Sequence, residues 1–480
     1  MKKQNKSRLL PIVLFSALSL TQMGMSQTGA GHLIVTLSLG GDQPLYKSQM
    51  KKIRQLDLDV AGVDLPNHQV DVVIDPSQEA MLHAQGFNVV ATKSTNSRMS
   101  PDQQYQNPTK IENLLKQYAA AYPNLAEVHI AGQSLEGRNI FVLRITGNIS
   151  VNDPSKPHIL FNGMHHAREV MATEIPLDTI DTLLTQYGKD PKITHWVDAN
   201  EIWVMPMFNV DGNNLVWTKD SMWRKNSRGG YGVDINRNYP YQWNSCNGSS
   251  NSQDAEDYHG PSAASEPETL VMMNLVKAIR PVFDISYHSY SQLVIYPYGC
   301  PGEHTPTKEV VEGIGDAMAT KIVNDNGKGH YVSGISSDII YAVDGSDLDW
   351  MYHEAGVIPY VIEVNSSTEG FQPSYSKWRN KTVARLQPAW QFLLDRLDGP
   401  SIHGQVVGQD GKGIAGAQLH LDRTSGGVAF TEDAIADQNG FFDVIVTSGT
   451  FKVLFSNGAA HSQTQNVTVG NTRVEVKPTI

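Results

Sequence analysis

The stretch His158-Ile159-Leu160-Phe161-Asn162-Gly163-Met164-His165-His166-Ala167-Arg168-Glu169 decides how this chain is read. An apolar run ends in two histidines, an arginine and a glutamate. The run reads as a buried strand, and residues 169–187 read as the helix that follows it. Imidazole and carboxylate three residues apart at such a junction can close on one small cation. Zinc accepts both donor types, and a catalytic zinc normally has three protein ligands and an open position. His165 lies four residues before Glu169 and His166 three, so spacing alone leaves both as candidate ligands. The third ligand must come from elsewhere in the chain.

Outward from that junction the pattern is α/β. Strands are expected at 126–130, 139–145, 158–161, 201–207, 281–287, 293–296 and 360–364. Helices are expected at 111–122, 169–187, 265–278, 307–325 and 347–355, with Pro176 kinking or breaking the second of them. These elements predict a mixed central β-sheet flanked by helices, with ligands near the strand ends. Before this region, strands at 32–39, 69–74 and 87–91 alternate with helices at 48–56 and from Pro76 to near Gly86, making a small α+β domain. A polar segment at 92–107 reads as an exposed linker of the kind proteases cut. The module ahead of it is either a propeptide or a permanent accessory domain. After Asp398-Gly399-Pro400, short strands at 403–407, 417–421, 441–446, 451–455 and 472–476 predict an antiparallel β-sandwich.

Length and composition agree with several domains in an ordinary globular protein. A chain of 480 residues exceeds one typical core. The net charge of −11, without a long Lys/Arg run, excludes a nucleic-acid partner. Lys2, Lys3, Lys6 and Arg8 precede an apolar run at 9–20 and the small residues Gly24 and Ser26, the pattern of a secretory signal peptide. No later run is long enough for a membrane span. The expected divisions are therefore 1–26 signal peptide, 27–100 N-terminal module and linker, 101–398 catalytic domain and 401–480 sandwich. A secreted or periplasmic monomer is expected. Cys246 and Cys300 are the two cysteines, and an exported chain favours their pairing over two free thiols. The chain-entropy model puts such a link at about 3–4 kcal/mol.

Three apparent motifs fail. Gly411-Lys412-Gly413-Ile414-Ala415-Gly416 matches a dinucleotide fingerprint by letter but lies between β-strands with no following helix. His353-Glu354 lacks the second histidine of a zinc-protease helix, since Val357 stands in its place. No Gly-x-Ser-x-Gly elbow is present, which weakens a serine hydrolase reading.

Ordered motifs carry a stronger signal. Gly163 to Glu169 is followed by Met222-Trp223-Arg224-Lys225-Asn226 and Val233-Asp234-Ile235-Asn236-Arg237-Asn238. Tyr287-His288-Ser289-Tyr290-Ser291-Gln292-Leu293, Ile340-Tyr341, Asp349-Trp350 and Val361-Ile362-Glu363-Val364 come next. This series resembles the secreted zinc carboxypeptidases of the A, B and T types. His-His-Ala-Arg-Glu and Asn-Arg-Asn-Tyr are most similar to the bacterial T type. The resemblance covers about 108–397 and implies one zinc ion held by His166, Glu169 and His288. It implies Glu363 as general base and then acid, and Arg224 beside the oxyanion. It also implies a grip on the C-terminal carboxylate by Arg237 and Asn236, closure of Tyr341 over the substrate, and contact of Arg168 with upstream residues. A guanidinium can hold a carboxylate through two parallel hydrogen bonds, which lysine cannot copy. By the same resemblance Leu348 lies in the pocket for the terminal side chain and favours apolar or aromatic residues. Asp344, Asp347 and Asp349 nearby leave some basic tolerance open. The C-terminal region, about 401–480, resembles a transthyretin-like module. The expected partners are peptide or protein C-termini. A cell-wall peptide amidase and an inactive secreted binding protein are the alternatives; the first usually lacks the Arg/Asn clamp, the second the ligands or base.

Overall fold

A computed structural model describes residues 31–95, 100–425 and 428–480. The signal-peptide reading and part of the linker lie outside these residues. The N-terminal module is built from β1 (Leu33–Ser38), α1 (Gln43–Gln55), β2 (Asp59–Asp64), β3 (Gln69–Ile74), α2 (Glu79–Ala84) and β4 (Asn88–Ser94). Its antiparallel sheet has the order β2-β3-β1-β4. Helix α1 starts earlier than the sequence pattern predicts, because the Asp42 side chain caps Leu45 N–H and Pro44 sits in the first turn. Strand β2 was not expected. Its sequence Asp-Val-Ala-Gly-Val-Asp is buried at all four central positions, so no in–out alternation marks it.

The central domain contains α3 (Pro108–Ala121), β5 (Ala126–Gln133), β6 (Asn139–Ile145), β7 (His158–Gly163), α4 (Met171–Gln186), α5 (Pro191–Ala199), β8 (Glu201–Met205) and α6 (Val210–Thr218). It continues with α7 (Pro267–Ile279), β9 (Phe283–Ser289), β10 (Leu293–Tyr296), α8 (Lys308–Ala319), β11 (Val332–Ile335), α9 (Ser336–Ile339), α10 (Asp347–Ala355), β12 (Ile358–Val364) and α11 (Tyr375–Leu397). Eight strands form one mixed sheet in the order β11-β10-β12-β9-β7-β8-β6-β5. Strands β8, β7, β9 and β12 run parallel at its centre. Every residue of β9 is buried, as expected for a central parallel strand. The mixed sheet flanked by helices agrees with the sequence expectation. Helix α4 is one unbroken element through Pro176, contrary to a break at that point.

The C-terminal region adds β13 (Ser401–Gln405), β14 (Gln418–Ser425), β15 (Val428–Ile435), β16 (Phe441–Ile445), β17 (Gly449–Asn457), β18 (Ala460–His461), β19 (Gln465–Val469) and β20 (Val474–Val476). One sheet is β16-β13-β20; the other contains β15, β14 and β17, with β18 and β19 both on β17. Ile402, Leu419, Leu421, Phe442, Val453 and Phe455 belong to their shared core. Arg396 at the end of α11 donates to the carbonyls of Pro400 and Val446, and Ile445 enters the central core. Cys246 and Cys300 form a disulfide, as favoured from the sequence, with Cα atoms 5.9 Å apart. No helix among the described residues is long and apolar enough to cross a membrane.

Candidate active site

The site forms at the carboxyl ends of the parallel strands, where open α/β sheets place ligands. Strand β7 ends at Gly163; Met164 then takes a positive φ and the chain turns through His165 and His166 to Glu169. Strand β9 delivers His288. Ligand atoms of His166, Glu169 and His288 all lie within 4.8 Å of one another, and all three residues are buried. His166 Nδ1 is 2.8 Å from Glu169 Oε1, and His288 Nδ1 is 3.2 Å from Glu169 Oε2. The two Nδ1 atoms are 3.0 Å apart. Two imidazole nitrogens and a carboxylate converging on one point form a donor set that fits zinc. Burial disfavours the Glu169 charge, but His166 and His288 outweigh it and hold the carboxyl below its usual range.

The far sides of the rings are also held. His166 Nε2 lies 3.3 Å from Asp234 Oδ1, and His288 Nε2 lies 3.3 Å from Ser286 Oγ. Such outer partners fix ring orientation and tautomer. His165 turns away from this point. Its Nδ1 faces Ser286 Oγ at 3.3 Å, and its Nε2 faces the Tyr239 hydroxyl at 3.3 Å and Asp347 at 3.4 Å. Full burial pushes the His165 imidazole down to about 4 despite Asp347, so it is held neutral.

Glu363 on β12 is in register with His288 on the adjacent parallel strand, so both side chains project to the same face. It lines the same cavity as the triad. Burial first, then the Glu169 charge, pushes its carboxyl up to about 8 against the pull of Arg224 and Arg237. Arg224 donates from Nη2 to Asp234 at 2.8 Å, and its Nη1 lies 3.9 Å from Glu169. Asp234 thus braces both His166 and Arg224. The sequence held only one clue to it, its place two residues before Asn236.

Arg237 and Asn236 line the same cavity. Arg237 donates from Nε to Gly248 O and from Nη1 to Asn236 O; Nη2 has no protein acceptor among the described residues. The Asn236 amide oxygen accepts Asp347 N–H at 3.0 Å, which leaves its NH2 as the free end. Leu348 lines the cavity with Ile295, Ile340, Val343 and Val361. Two of the three neighbouring acids are engaged elsewhere. Asp344 accepts from residues 245–249 and Asp349 accepts Gly299 N–H, whereas Asp347 lines the cavity, with Oδ1 accepting Leu348 N–H and Oδ2 3.4 Å from His165 Nε2. Burial pushes Asp349 up to about 7.

Two predicted residues meet the N-terminal module. Arg168 does not line the cavity; it is fully buried and grips Asp59 of β2 with hydrogen bonds of 2.6 and 2.7 Å. Its guanidinium lies 4.3 Å from the Phe371 ring. Tyr341 lines the cavity with Arg54 of α1 stacked 5.0 Å above its ring, and Arg54 also pairs with Asp257. Val60, Ala61 and Gly62 of β2 complete the cavity wall. The unforeseen strand therefore covers the site.

A zinc carboxypeptidase family model matches residues 111–387, more than half of the chain. The zinc carboxypeptidase A 1 of Anopheles gambiae is 30% identical over 302 residues, covering 61% of this chain and 66% of that protein. Mouse carboxypeptidase D is 26% identical over 396 residues, 79% of this chain but 27% of its own length. The chain thus spans two thirds or less of these two relatives. In fold it is similar to the carboxypeptidase A structure from Helicoverpa armigera, with a TM-score of 0.65 and 23% identity, covering 76% of this chain and 96% of that one. Converging His, Glu and His side chains lie within a family match of this extent, and the chain belongs to the zinc carboxypeptidase family.

Proposed function

We propose that this protein is an exported zinc carboxypeptidase that removes single apolar or aromatic residues from peptide C-termini. One observation carries the reading: a single cavity holds the His166–Glu169–His288 cluster and Glu363 together with free N–H groups of Arg237 and Asn236. A hydrolytic centre placed beside a carboxylate grip suits an exopeptidase.

His166, Glu169 and His288 would hold one zinc ion. When bound, zinc lowers the pKa of a water toward about 7 and polarises a carbonyl. Glu363 takes the proton of the attacking water and returns it to the leaving amine. Arg224, kept charged by Asp234, faces the oxygen where negative charge develops. Arg237 and Asn236 bind the terminal carboxylate, which sets the scissile bond one residue from the chain end. Tyr341 and Arg168 contact the substrate once the N-terminal module has left. Removing the metal with a chelator is expected to abolish cleavage of a blocked dipeptide ending in Phe, and zinc is expected to restore it.

The terminal side chain enters the wall formed by Ile295, Ile340, Val343, Leu348 and Val361. Asp344 and Asp349 are engaged elsewhere, which leaves Asp347 as the one of these three acids lining the cavity that a basic end could meet. Leu348→Asp is expected to shift the kcat/KM ratio toward Lys and Arg ends by at least about tenfold. An unchanged profile over peptides differing only in the last residue would show that the pocket is set elsewhere.

The N-terminal module acts as an inhibitory propeptide in this reading, since β2 lies across the cavity and occupies Arg168. The C-terminal two-sheet unit is a transthyretin-like module with a stabilising or binding role.

A further inference from the structure

Arg237 is a long side chain, and its usefulness as a grip depends on being held. Its Nη1 bond goes to the carbonyl of its own neighbour, Asn236, at 2.7 Å. The other anchor, Gly248 O at 3.2 Å from Nε, belongs to a segment of turns and bends with no regular structure. What fixes that segment therefore fixes the guanidinium.

We propose that Asp344 is the positioning residue of the terminal-carboxylate grip: it holds residues 245–249 so that Gly248 aims Arg237. The inference rests on the carboxypeptidase reading above. Asp344 is completely buried. Its Oδ2 accepts the backbone N–H groups of Ser245, Cys246 and Gly248 at 3.1, 3.0 and 2.9 Å. Its Oδ1 accepts the Ser249 hydroxyl. No lysine or arginine pairs with it among the described residues, so these donors alone meet its charge. Hydrogen bonds to an ionised acceptor are about twice as strong as neutral ones. At Gly248 a Cβ would overlap the backbone of Val343 and Asp344, so only glycine lets the segment lie flat against them.

The same residue joins both halves of the substrate cavity. Val343, which precedes Asp344, lines the apolar wall, and its N–H donates to Gly299 O at 3.1 Å. Gly345, which follows it, accepts Tyr239 N–H at 2.9 Å, close behind Arg237 in sequence. The Cys246–Cys300 disulfide ties the segment to the wall independently. Loss of the Asp344 carboxylate should therefore loosen the grip while the disulfide keeps the segment attached. A grip that binds the ground state and the transition state equally changes KM and leaves kcat.

The test uses the full chain loaded with zinc, after limited proteolysis, as wild type, Asp344→Ala and Asp344→Asn. Blocked dipeptides ending in Phe give kcat and KM. Two probes are titrated in parallel: 3-phenylpropanoate, which needs the grip, and acetohydroxamate, which chelates metal and has no C-terminal carboxylate. Asp344→Ala is expected to raise KM and the 3-phenylpropanoate dissociation constant at least tenfold. It should leave kcat within threefold and acetohydroxamate inhibition unchanged. Asp344→Asn, which keeps one acceptor oxygen, should fall between Asp344→Ala and wild type, and it carries the comparison if Asp344→Ala does not fold. Unchanged KM and 3-phenylpropanoate binding in a folded variant would overturn the proposal. So would an equal loss of kcat and of acetohydroxamate inhibition, which would mark general damage. Inactivity of the wild type on every blocked dipeptide would sink the carboxypeptidase reading instead, while 3-phenylpropanoate binding would still report on the grip.

Discussion

Glu363→Gln is expected to leave zinc content unchanged and to lower kcat on blocked dipeptides by about 10²–10⁴-fold, the usual contribution of a positioned acid or base. The substitution keeps the shape and an acceptor oxygen but removes the ability to take up a proton. Three features assign the effect to chemistry. Glu363 is in register with His288 on neighbouring parallel strands, so the backbone fixes its distance from the cluster. It is not part of the His166–Glu169–His288 group, so metal retention should be independent of it. Burial and the nearby Glu169 charge raise its affinity for a proton, as a base that later acts as an acid requires. Zinc analysis alongside initial rates checks both halves. A variant with normal zinc and more than a tenth of the wild-type kcat would remove Glu363 from the mechanism.

Much of the framework was legible because its signals are local. Strands 139–145 and 293–296 and the helix at 347–355 have the expected limits, since apolar runs delimit the strands and Ser346 and Gly356 cap the two ends of the helix. Helix α6 was not expected, and Gly212, Asn213 and Asn214 are weak helix formers. Its helical form depends on burial and on the Asn209 side chain, which caps Gly212 N–H. Helix α11 was missed although it is the longest among the described residues; Pro388 interrupts its periodic pattern without breaking it. Of the site residues, the paired histidines show best where sequence stops. Both can reach the Glu169 side by spacing. Only the tertiary partners Ser286, Tyr239 and Asp347, from three other segments, draw His165 off. Asp59 and Arg54 were invisible for another reason. They act across a contact between modules, and nothing in a sequence period reports which face meets a neighbour.

That contact carries the other large effect. In the uncut chain, Asp59→Ala is expected to raise activity at least tenfold toward that of the proteolysed enzyme. Asp59 and Arg168 are joined by two hydrogen bonds and are nearly inaccessible to solvent. Removing one partner of a buried pair costs about 3–5 kcal/mol, because the other charge is left uncompensated. Arg168 is relieved of that cost when the module moves away and water reaches it, so the penalty favours the open form. Gly62→Val should act in the same direction for a different reason, since any Cβ there would overlap the carbonyl of Tyr290. The sign of the pH response separates the ionic contacts. Burial opposes the Asp59 charge, but Arg168 overcomes it and holds the carboxyl below its usual range. Its contribution is therefore complete above the ordinary carboxylate value and is lost only as pH falls through the lower docked one. Asp59 does not respond between pH 6 and 8. His32 behaves oppositely: the Asp220 carboxylate beside it raises its pKa, so its contribution is complete below about 6.5 and fades as pH rises through the raised value. Both partners are partly exposed and 3.6 Å apart, so that effect is small. The uncut wild type should thus be slightly more active, relative to cut enzyme, at pH 8 than at pH 6. His32→Ala should remove the difference, and Asp59→Ala should keep it on a higher baseline. If Asp59→Ala and Gly62→Val both fold and both leave the uncut chain as active as wild type, β2 does not restrain the site.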